Sequence, residues 1–242
     1  MSTLTSNIPP SVGQRLPPLQ NGDRLNRVEF ERRFDATPGL KNAELIEGIV
    51  HMPPPVAHES HSEPTGHLMF WLNHYKLATP GLRSGTDGSI RLDNDNMPQP
   101  DAYLFVDPAL GGQAQLSHDD FVRGAPELVC EVSASSVSID LHAKFAVYRR
   151  AGVREYIVWR TYDREIDYFI LRDGEFARLA PVSTEPAVVY HSEVFPGLWL
   201  DASAMLRGDL KSVLHLLQQG SASPEHDAFV EQMTARSTRP LT

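Results

Sequence analysis

Residues 126–159 read PELVCEVSASSVSIDLHAKFAVYRRAGVREYIVW, and this stretch contains three consecutive elements. Residues 126–134 and 154–159 are short runs rich in β-branched and aromatic residues, which predict strands. Between them, apolar residues recur at helical spacing over 138–151, and Gly152 is a typical residue just after the end of a helix. The stretch therefore predicts a strand, a helix and a second strand.

Charged residues inside apolar strands are the first sign of chemistry. Glu131 is the charged member of LVCEVS (128–133), and Asp101 opens the apolar run DAYLFV (101–106). Short, continuously apolar strands are usually covered on both faces, where a carboxylate is costly unless it is paired, hydrogen-bonded or bound to a metal. Each acid can also be a strand-end residue that reaches solvent, and the sequence leaves both interpretations open.

The predicted helix carries two more charged residues within its apolar sector. At about 100° per residue, Asp140 and Lys144 project between the apolar groups and not opposite them. They are four positions apart, so one interpretation is a simple helix ion pair with a snorkelling lysine. The other is a lysine held toward the carboxylates of the neighbouring strands. Acids with a lysine outline a site for Mg²⁺ or Mn²⁺, which prefer oxygen ligands.

The same helix ends in a basic stretch. Arg149 and Arg150 make it locally positive in an acidic chain, as a phosphate-facing strip would.

Turn residues and apolar runs predict the remaining elements, in an α/β class of mixed α+β character. Hairpins are predicted at Glu47-Gly48 and at Asp173-Gly174, since these dipeptides accept positive φ. Helices are predicted over 28–34, 57–78 and 202–219, and strands over 88–92, 101–106, 164–171 and 175–180. Residues 1–22 are expected to be a flexible tail, 23–219 a single domain and 220–242 a second flexible tail, with a short helix allowed in the last.

Composition and charge exclude several classes. The 242 residues are 41% hydrophobic, which is enough for a packed core, and no apolar stretch reaches the length of a membrane span. A single cysteine, Cys130, favours a reducing, cytoplasmic setting. A net charge of −9 argues against a surface covered with phosphate-binding residues, but it allows one local basic strip.

Several short motifs follow one another in the order of a known pattern. Together they closely resemble, over roughly residues 27–206, the bacterial family of putative restriction endonucleases within the PD-(D/E)XK nuclease superfamily. No single motif is specific, but the ordered set is. The motifs are ELIEG (44–48), the proline run before His58, Pro100-Asp101, Glu131-Val132-Ser133, then Asp140, Lys144 and Tyr148, and AGVREYIVW (151–159).

The resemblance implies a restriction-endonuclease-like core: a mixed central β-sheet flanked by helices, here with an added N-terminal hairpin. It implies metal binding by Asp101 and Glu131, with the backbone carbonyl of Val132 as a further ligand. In the usual motif of the superfamily a lysine lies two residues after the acid, where this chain has Ser133. The family pattern instead has its lysine in the next helix, which matches Lys144.

The resemblance also implies accessory residues and partners. Glu44 matches an acidic position near the start of the domain, where it would be either an additional metal ligand or a group that contacts the ligands. Asp140 and His61 are further accessory candidates. The implied cofactor is Mg²⁺ or Mn²⁺, and the implied partner is DNA. A homodimer is expected at the level of the family, because two active sites can address two strands.

Three hypotheses of function follow. The first is a metal-dependent endonuclease that hydrolyses DNA phosphodiester bonds, with Asp101, Glu131 and Lys144 as catalytic residues. The second is a non-catalytic nucleic-acid-binding or regulatory module that retains the nuclease fold. The third is an interaction protein whose tails recruit a partner. A zinc site among the histidines of residues 51–74 is a weaker alternative, since no spacing there matches a strong ligand pattern.

Overall fold

The computed structural model describes residues 16–237. The helices are α1 (Arg27–Ala36), α2 (Glu63–Ala78), α3 (Phe145–Ala151), α4 (Ala202–Leu206), α5 (Leu210–Ser221) and α6 (Pro224–Ser237). The strands are β1 (Glu44–Ile46), β2 (Ile49–His51), β3 (Leu82–Gly85), β4 (Ile90–Arg91), β5 (Ala102–Val106), β6 (Gln115–Leu116), β7 (Val122–Arg123), β8 (Leu128–Ser133), β9 (Glu155–Arg160), β10 (Glu165–Arg172), β11 (Glu175–Arg178), β12 (Val189–His191) and β13 (Trp199–Asp201). Two π-helical turns, His58–Ser62 and Ile139–Lys144, lead directly into α2 and α3.

The central sheet has six strands in the order β11-β10-β9-β8-β5-β3. Strands β8 and β9 are parallel, because the helix between them carries the chain back to the same end of the sheet. The other neighbours pair antiparallel. The predicted mixed α/β class with a central mixed sheet is therefore confirmed.

The two faces of the sheet are covered by different elements. On one face, Cys130 and Val132 of β8 pack in a core with Trp71 of α2 and residues of α4, α5 and α6. On the other face, Val129 packs in a core with Tyr148 of α3 and with residues of the small sheet β4-β7-β6. Because side chains alternate along a strand, Glu131 lies on the second face, beside α3.

The N-terminal hairpin is confirmed and packs as a unit of its own. Glu47 and Gly48 both have positive φ, 52° and 72°, which is the geometry of a tight hairpin turn between twisted strands. Phe30 of α1 packs with Leu45 and Val50 of the hairpin in a separate small core. This packing fixes the start of β1, where Glu44 lies.

Several predicted boundaries were wrong. The helix predicted over 202–219 is divided into α4 and α5 at Gly208, whose φ is +71°, and Asp209 caps the start of α5. The strand predicted over 88–92 is only β4, and it belongs to the small three-stranded sheet.

The described parts of the two predicted tails are packed. Residues 220–237 continue α5 and form α6, whose Met233 is 1% exposed, so a flexible tail is wrong there. At the other end, Leu19 is buried against α1 and the hairpin, while residues 1–15 and 238–242 of the predicted tails lie outside the described residues. Among residues 16–237, no helix has the length and apolar character needed to cross a membrane.

Candidate active site

Strands β5 and β8 bring Asp101 and Glu131 together. Ala102 lies opposite Cys130 in this antiparallel pair, so the next position of the register sets Asp101 opposite Glu131. Oδ2 of Asp101 accepts a hydrogen bond of 2.6 Å from the backbone amide of Val132. Both carboxylates are buried, with 8% of Asp101 and 2% of Glu131 exposed. The two acids that stood out in the sequence are thus neighbours at one end of the sheet.

Lys144 reaches across from the π-helical turn to these strands. Its Nζ lies 3.1 Å from Oε1 of Glu131 and 2.8 Å from Oε1 of Glu44. The helix partner Asp140 is more distant, at 3.7 Å from its Oδ1. The contacts of the lysine are therefore mainly with the acids of other elements, and the simple helix ion pair is the weaker of its interactions.

Asp140 is held by the serines that follow β8. Its Oδ2 accepts hydrogen bonds of 2.5 Å from both Ser133 and Ser136, and the hydroxyl of Tyr156 donates to its backbone carbonyl at 2.9 Å. The side chain is buried. Asp140 thus joins the end of β8 to the start of the following helix and faces Lys144 from the other side.

Glu44 comes from the N-terminal hairpin. Its Oε1 accepts a hydrogen bond of 2.7 Å from the backbone amide of Gln99 in addition to its contact with Lys144. Three carboxylates from separate parts of the chain, those of Glu44, Glu131 and Asp140, therefore surround one lysine, and Asp101 lies beside Glu131.

Tyr148 belongs to the motifs that carry the family resemblance, but sequence reasoning gave it no role in the site. Its helical spacing marked it as part of an apolar stripe, but its hydroxyl donates a hydrogen bond of 2.7 Å to Oε1 of Glu131. Lys144 donates to the same oxygen. The signal available in the sequence was the place of Tyr148, one turn after Lys144 and on the same side of the helix.

His61 contacts the first acid. Its Nε2 lies 3.1 Å from Oδ1 of Asp101, so the π-helical turn before α2 places this side chain at the site. The hydrogen bond with Asp101 raises the pKa of His61 above its usual value, although burial acts against this. Asp87, near the same acid, has a pKa raised by burial and by the charge of Asp101.

The acids of this cluster, Glu44, Asp101, Glu131 and Asp140, outnumber its basic side chains, Lys144 and His61. Burial raises the pKa of Glu131 well above its usual value, and Lys144 offsets this only in part because three other acids are close. Burial alone would lower the pKa of Lys144. The surrounding carboxylates together have a larger effect in the opposite direction and hold the pKa well above its usual value. The charged form of the lysine is therefore favoured by the acids that contact it.

The four acids, Lys144 and His61 line a cleft of about 600 Å³. One wall is formed by residues 39–42 and 52–56, which adjoin the paired ends of β1 and β2 at Glu44 and His51. The other wall includes Asp87 and, after β8, Ser135, Ser136, Ile139 and Asp140. The cleft is large enough for a small substrate group.

The two arginines expected to face phosphate lie elsewhere. Arg149 pairs with Glu175 of β11, and Arg150 pairs with Glu47 in the turn of the hairpin at 2.9 Å. Neither arginine lines the cleft. The expectation of a phosphate-facing strip is not met, because both side chains are engaged by acids on adjacent elements.

The donor chemistry of the cluster fits a hard divalent cation. Carboxylate oxygens are the preferred ligands of Mg²⁺ and Mn²⁺, and the excess of acids gives the charge that such an ion neutralises. Within residues 16–237, no three histidine, cysteine, aspartate or glutamate side chains already surround one point at metal distances, the histidines of 51–74 included. Two carboxylates are sufficient for Mg²⁺, which usually keeps several waters and takes other ligands from substrate phosphates.

A mixed central sheet flanked by helices, with two acids on adjoining strands and a lysine beside the second acid, is the arrangement expected of the restriction-endonuclease-like fold. Residues 28–203 match the model of the Uma2 family, described as putative restriction endonuclease, and the chain belongs to this family. Among solved structures, it is similar to a putative nuclease belonging to DUF820 from Anabaena variabilis ATCC 29413, with 13% identity, a TM-score of 0.48, and coverage of 72% of this chain and 90% of that one. No curated protein matches.

Proposed function

We propose that the protein is a metal-dependent endonuclease that hydrolyses phosphodiester bonds of DNA. The observation that carries the proposal is the convergence of Asp101, Glu131 and Lys144 in the lining of an open cleft. Burial of this much charge is costly, so the cluster is more readily understood as a functional site than as a contribution to stability. Membership in a nuclease family supports the same class of reaction.

In this proposal Asp101 and Glu131 hold Mg²⁺ or Mn²⁺, and the backbone carbonyl of Val132 is a further ligand. When bound, such an ion polarises the phosphate and lowers the pKa of a coordinated water. Asp101 is oriented for this role by the Val132 amide. Glu131 is oriented by Lys144 and Tyr148.

Lys144 acts as a fixed positive charge. The acids around it raise its pKa, which favours its charged form. It offsets the negative charge that develops on the phosphate in the transition state. Glu44 and Asp140 hold the ammonium group in place for this purpose.

The alternative is a non-catalytic nucleic-acid-binding or regulatory module with the same fold. The net charge of −9 favours this alternative, as does the pairing of Arg149 and Arg150 outside the cleft. We also propose a cytoplasmic setting, which is compatible with the buried thiol of Cys130, and a homodimer that presents two sites to two strands.

The test is an incubation of the purified chain with plasmid and single-stranded DNA in Mg²⁺, Mn²⁺ or chelator. Asp101→Asn serves as the matched variant, since it removes the charge and keeps the shape of the side chain. Cleavage that requires the metal and is lost in the folded variant supports the endonuclease. Equal cleavage by the folded variant, or cleavage in chelator, contradicts it. If neither DNA is cleaved, Mn²⁺ titration by calorimetry distinguishes a metal site from the non-catalytic module.

A further inference from the structure

We propose that Lys41 binds a phosphate of the substrate strand close to the phosphate that is cleaved, so that the wall carrying Lys41 guides the nucleic-acid backbone to the acids. This inference rests on the proposed nuclease function and adds a substrate-binding residue to it. Its supports are the distribution of charge in the cleft, the lack of an acidic partner for Lys41 among the described residues, and the packing that fixes its loop.

The two walls of the cleft differ in charge. The wall formed by residues 39–42 and 52–56 contains Lys41 and no acid. The other wall contains Asp87 and Asp140. Phosphates are attracted to lysine and arginine side chains, and they are repelled by carboxylates of the same sign. A nucleic-acid backbone that enters the cleft is therefore drawn to the wall that carries Lys41.

Lys41 is the lysine of the lining that is available to a phosphate. Among the described residues that line the cleft, two are lysines and none is an arginine. Lys144 already contacts three acids. Lys41 is exposed and makes no ion pair with any acid of residues 16–237. Because the lysine ammonium is a point charge that binds phosphate from many directions, Lys41 needs no further group to make this contact.

The loop that carries Lys41 is held on both sides. Leu40 packs against the small core of α1 and the hairpin, and Ala43 is buried in the same core. The amide of Leu40 also donates a hydrogen bond of 3.4 Å to the carbonyl of Thr37. The backbone at position 41 is thus fixed relative to the hairpin, so little freedom of the loop is lost when its side chain binds.

The position of Lys41 matches a phosphate near the one that is cleaved. Lys41 precedes Glu44 by three residues, so their Cα atoms are at most about 11 Å apart, and Glu44 contacts Lys144 within the acidic cluster. Successive phosphates of one strand lie about 3.4 Å apart along the axis of duplex DNA. When one phosphate lies at the acids, a phosphate one to three positions along the same strand is therefore within reach of the Lys41 ammonium.

The experiment measures binding of a labelled duplex oligonucleotide by fluorescence anisotropy in Mg²⁺ at several NaCl concentrations. Binding is measured in a Glu131→Gln background, which blocks the proposed chemistry, and Lys41→Met removes the charge of the lysine. The matched control is Lys211→Met, because Lys211 is also exposed and lies on α5 outside the cleft lining. Both variants therefore change the net charge equally. With Glu131 intact, cleavage of the same oligonucleotide gives kcat and KM for each variant.

We expect Lys41→Met to reduce the slope of log K against log salt by about 0.9, the effect of losing one phosphate contact, and to weaken binding about eightfold at about 0.1 M NaCl. Lys211→Met should bind like its parent. In cleavage, Lys41→Met should raise KM by a similar factor with little change in kcat, because the contact is made equally in the bound substrate and in the transition state.

An unchanged salt slope in Lys41→Met overturns the inference, as do equal losses in the two lysine variants or no binding of the oligonucleotide. A fall in kcat with an unchanged KM also overturns it, because Lys41 would then act in the chemical step. Metal-dependent cleavage that is insensitive to Lys41→Met contradicts the inference while supporting the nuclease. A selective effect of Lys41→Met on binding without any cleavage supports the phosphate contact and contradicts the nuclease.

Discussion

The hydroxyl of Tyr148 donates a hydrogen bond of 2.7 Å to Oε1 of Glu131, the same oxygen that Lys144 contacts at 3.1 Å. Burial raises the pKa of Tyr148 well above its usual value, so the phenol keeps its proton and remains a donor. Two donors on one oxygen fix the orientation of the carboxylate and leave its other oxygen for a different ligand. If Glu131 holds a metal ion as proposed, Tyr148 and Lys144 are the groups that would orient this ligand.

Tyr148→Phe is therefore expected to weaken Mn²⁺ binding or cleavage by about 10–100-fold, the usual effect of losing a partner of a metal ligand. Calorimetric titration with Mn²⁺ and a cleavage assay measure the two effects. Tyr168→Phe is the matched control, because Tyr168 donates to the buried carboxylate of Glu155 at 2.9 Å, outside the cleft lining. If both variants bind Mn²⁺ like the wild type, Tyr148 has no positioning role.

Lys144→Met is expected to destabilise the metal-free chain. The substitution leaves Glu44, Glu131 and Asp140 without the cation that they surround, and removing one partner of a buried ion pair costs about 3–5 kcal/mol. Urea unfolding in chelator measures this loss. Mg²⁺ should restore more stability to the variant than it adds to the wild type, because the ion supplies the missing positive charge. A metal-free variant as stable as the wild type would show that the acids are protonated and need no cation.

The control for that experiment is Lys41→Met, which removes an exposed lysine from the rim of the same cleft. Surface charges contribute little to stability, so its unfolding free energy should stay close to that of the wild type. A loss as large as that of Lys144→Met would mean that the general charge of the cleft, and not the buried cluster, determines the result.

Glu155→Gln tests a second buried acid through its pH dependence. Burial raises the pKa of Glu155 above 4.5, although hydrogen bonds from Ser192 and Tyr168 lower it in part. The folded chain thus holds this proton to a higher pH than the unfolded chain does. The stability gained from the protonated group is complete below the unfolded pKa and is lost as the pH rises through the folded pKa.

The glutamine variant has no such proton. Its unfolding free energy should therefore improve relative to the wild type as the pH rises from about 4.5, with a slope of at most about 1.4 kcal/mol per pH unit. Urea unfolding of both chains at several pH values measures this difference. A constant difference across the range would mean that Glu155 has the same pKa in both states.

The sequence could predict the catalytic candidates because their signal is local. A charge within an apolar strand or an apolar helix sector is visible without any knowledge of the fold, and this identified Asp101, Glu131 and Lys144. The contact of Glu44 with the Gln99 amide joins positions 55 residues apart, and no local pattern encodes it. The resemblance to a family, and not the residue pattern, pointed to Glu44.

Other contacts depend on how elements pack. The phenol of Tyr148 looked like one more apolar group of the helix, since its partner lies on a different element. Arg149 pairs with a residue of β11, and Arg150 pairs with a residue in the hairpin turn. Because these partners belong to other elements, the sequence could not predict that both arginines lie outside the cleft. In α6 the buried positions include His226 and Met233, with Phe229 partly buried between them. A histidine in that series obscures the helical period.

Met233→Ala tests whether the C-terminal helix is an integral part of the fold. Met233 is 1% exposed and belongs to the core that covers one face of the sheet. His226 of the same helix makes a contact of 2.8 Å with the hydroxyl of Thr79. Truncating a buried methionine costs about 2–5 kcal/mol through lost contacts and the cavity left behind. We expect a loss of that size in urea unfolding, whereas a flexible tail over residues 220–242 would give none.

Thr234→Ala is the matched control, since Thr234 is the next residue of the helix and is exposed. Substitutions at exposed positions usually change stability by less than about 0.5 kcal/mol, and alanine keeps the helical propensity high. A large effect of Met233→Ala with a small effect of Thr234→Ala shows that burial, and not helix formation alone, attaches α6 to the sheet. Equal small effects would contradict the docked helix and restore the sequence-based expectation of a tail.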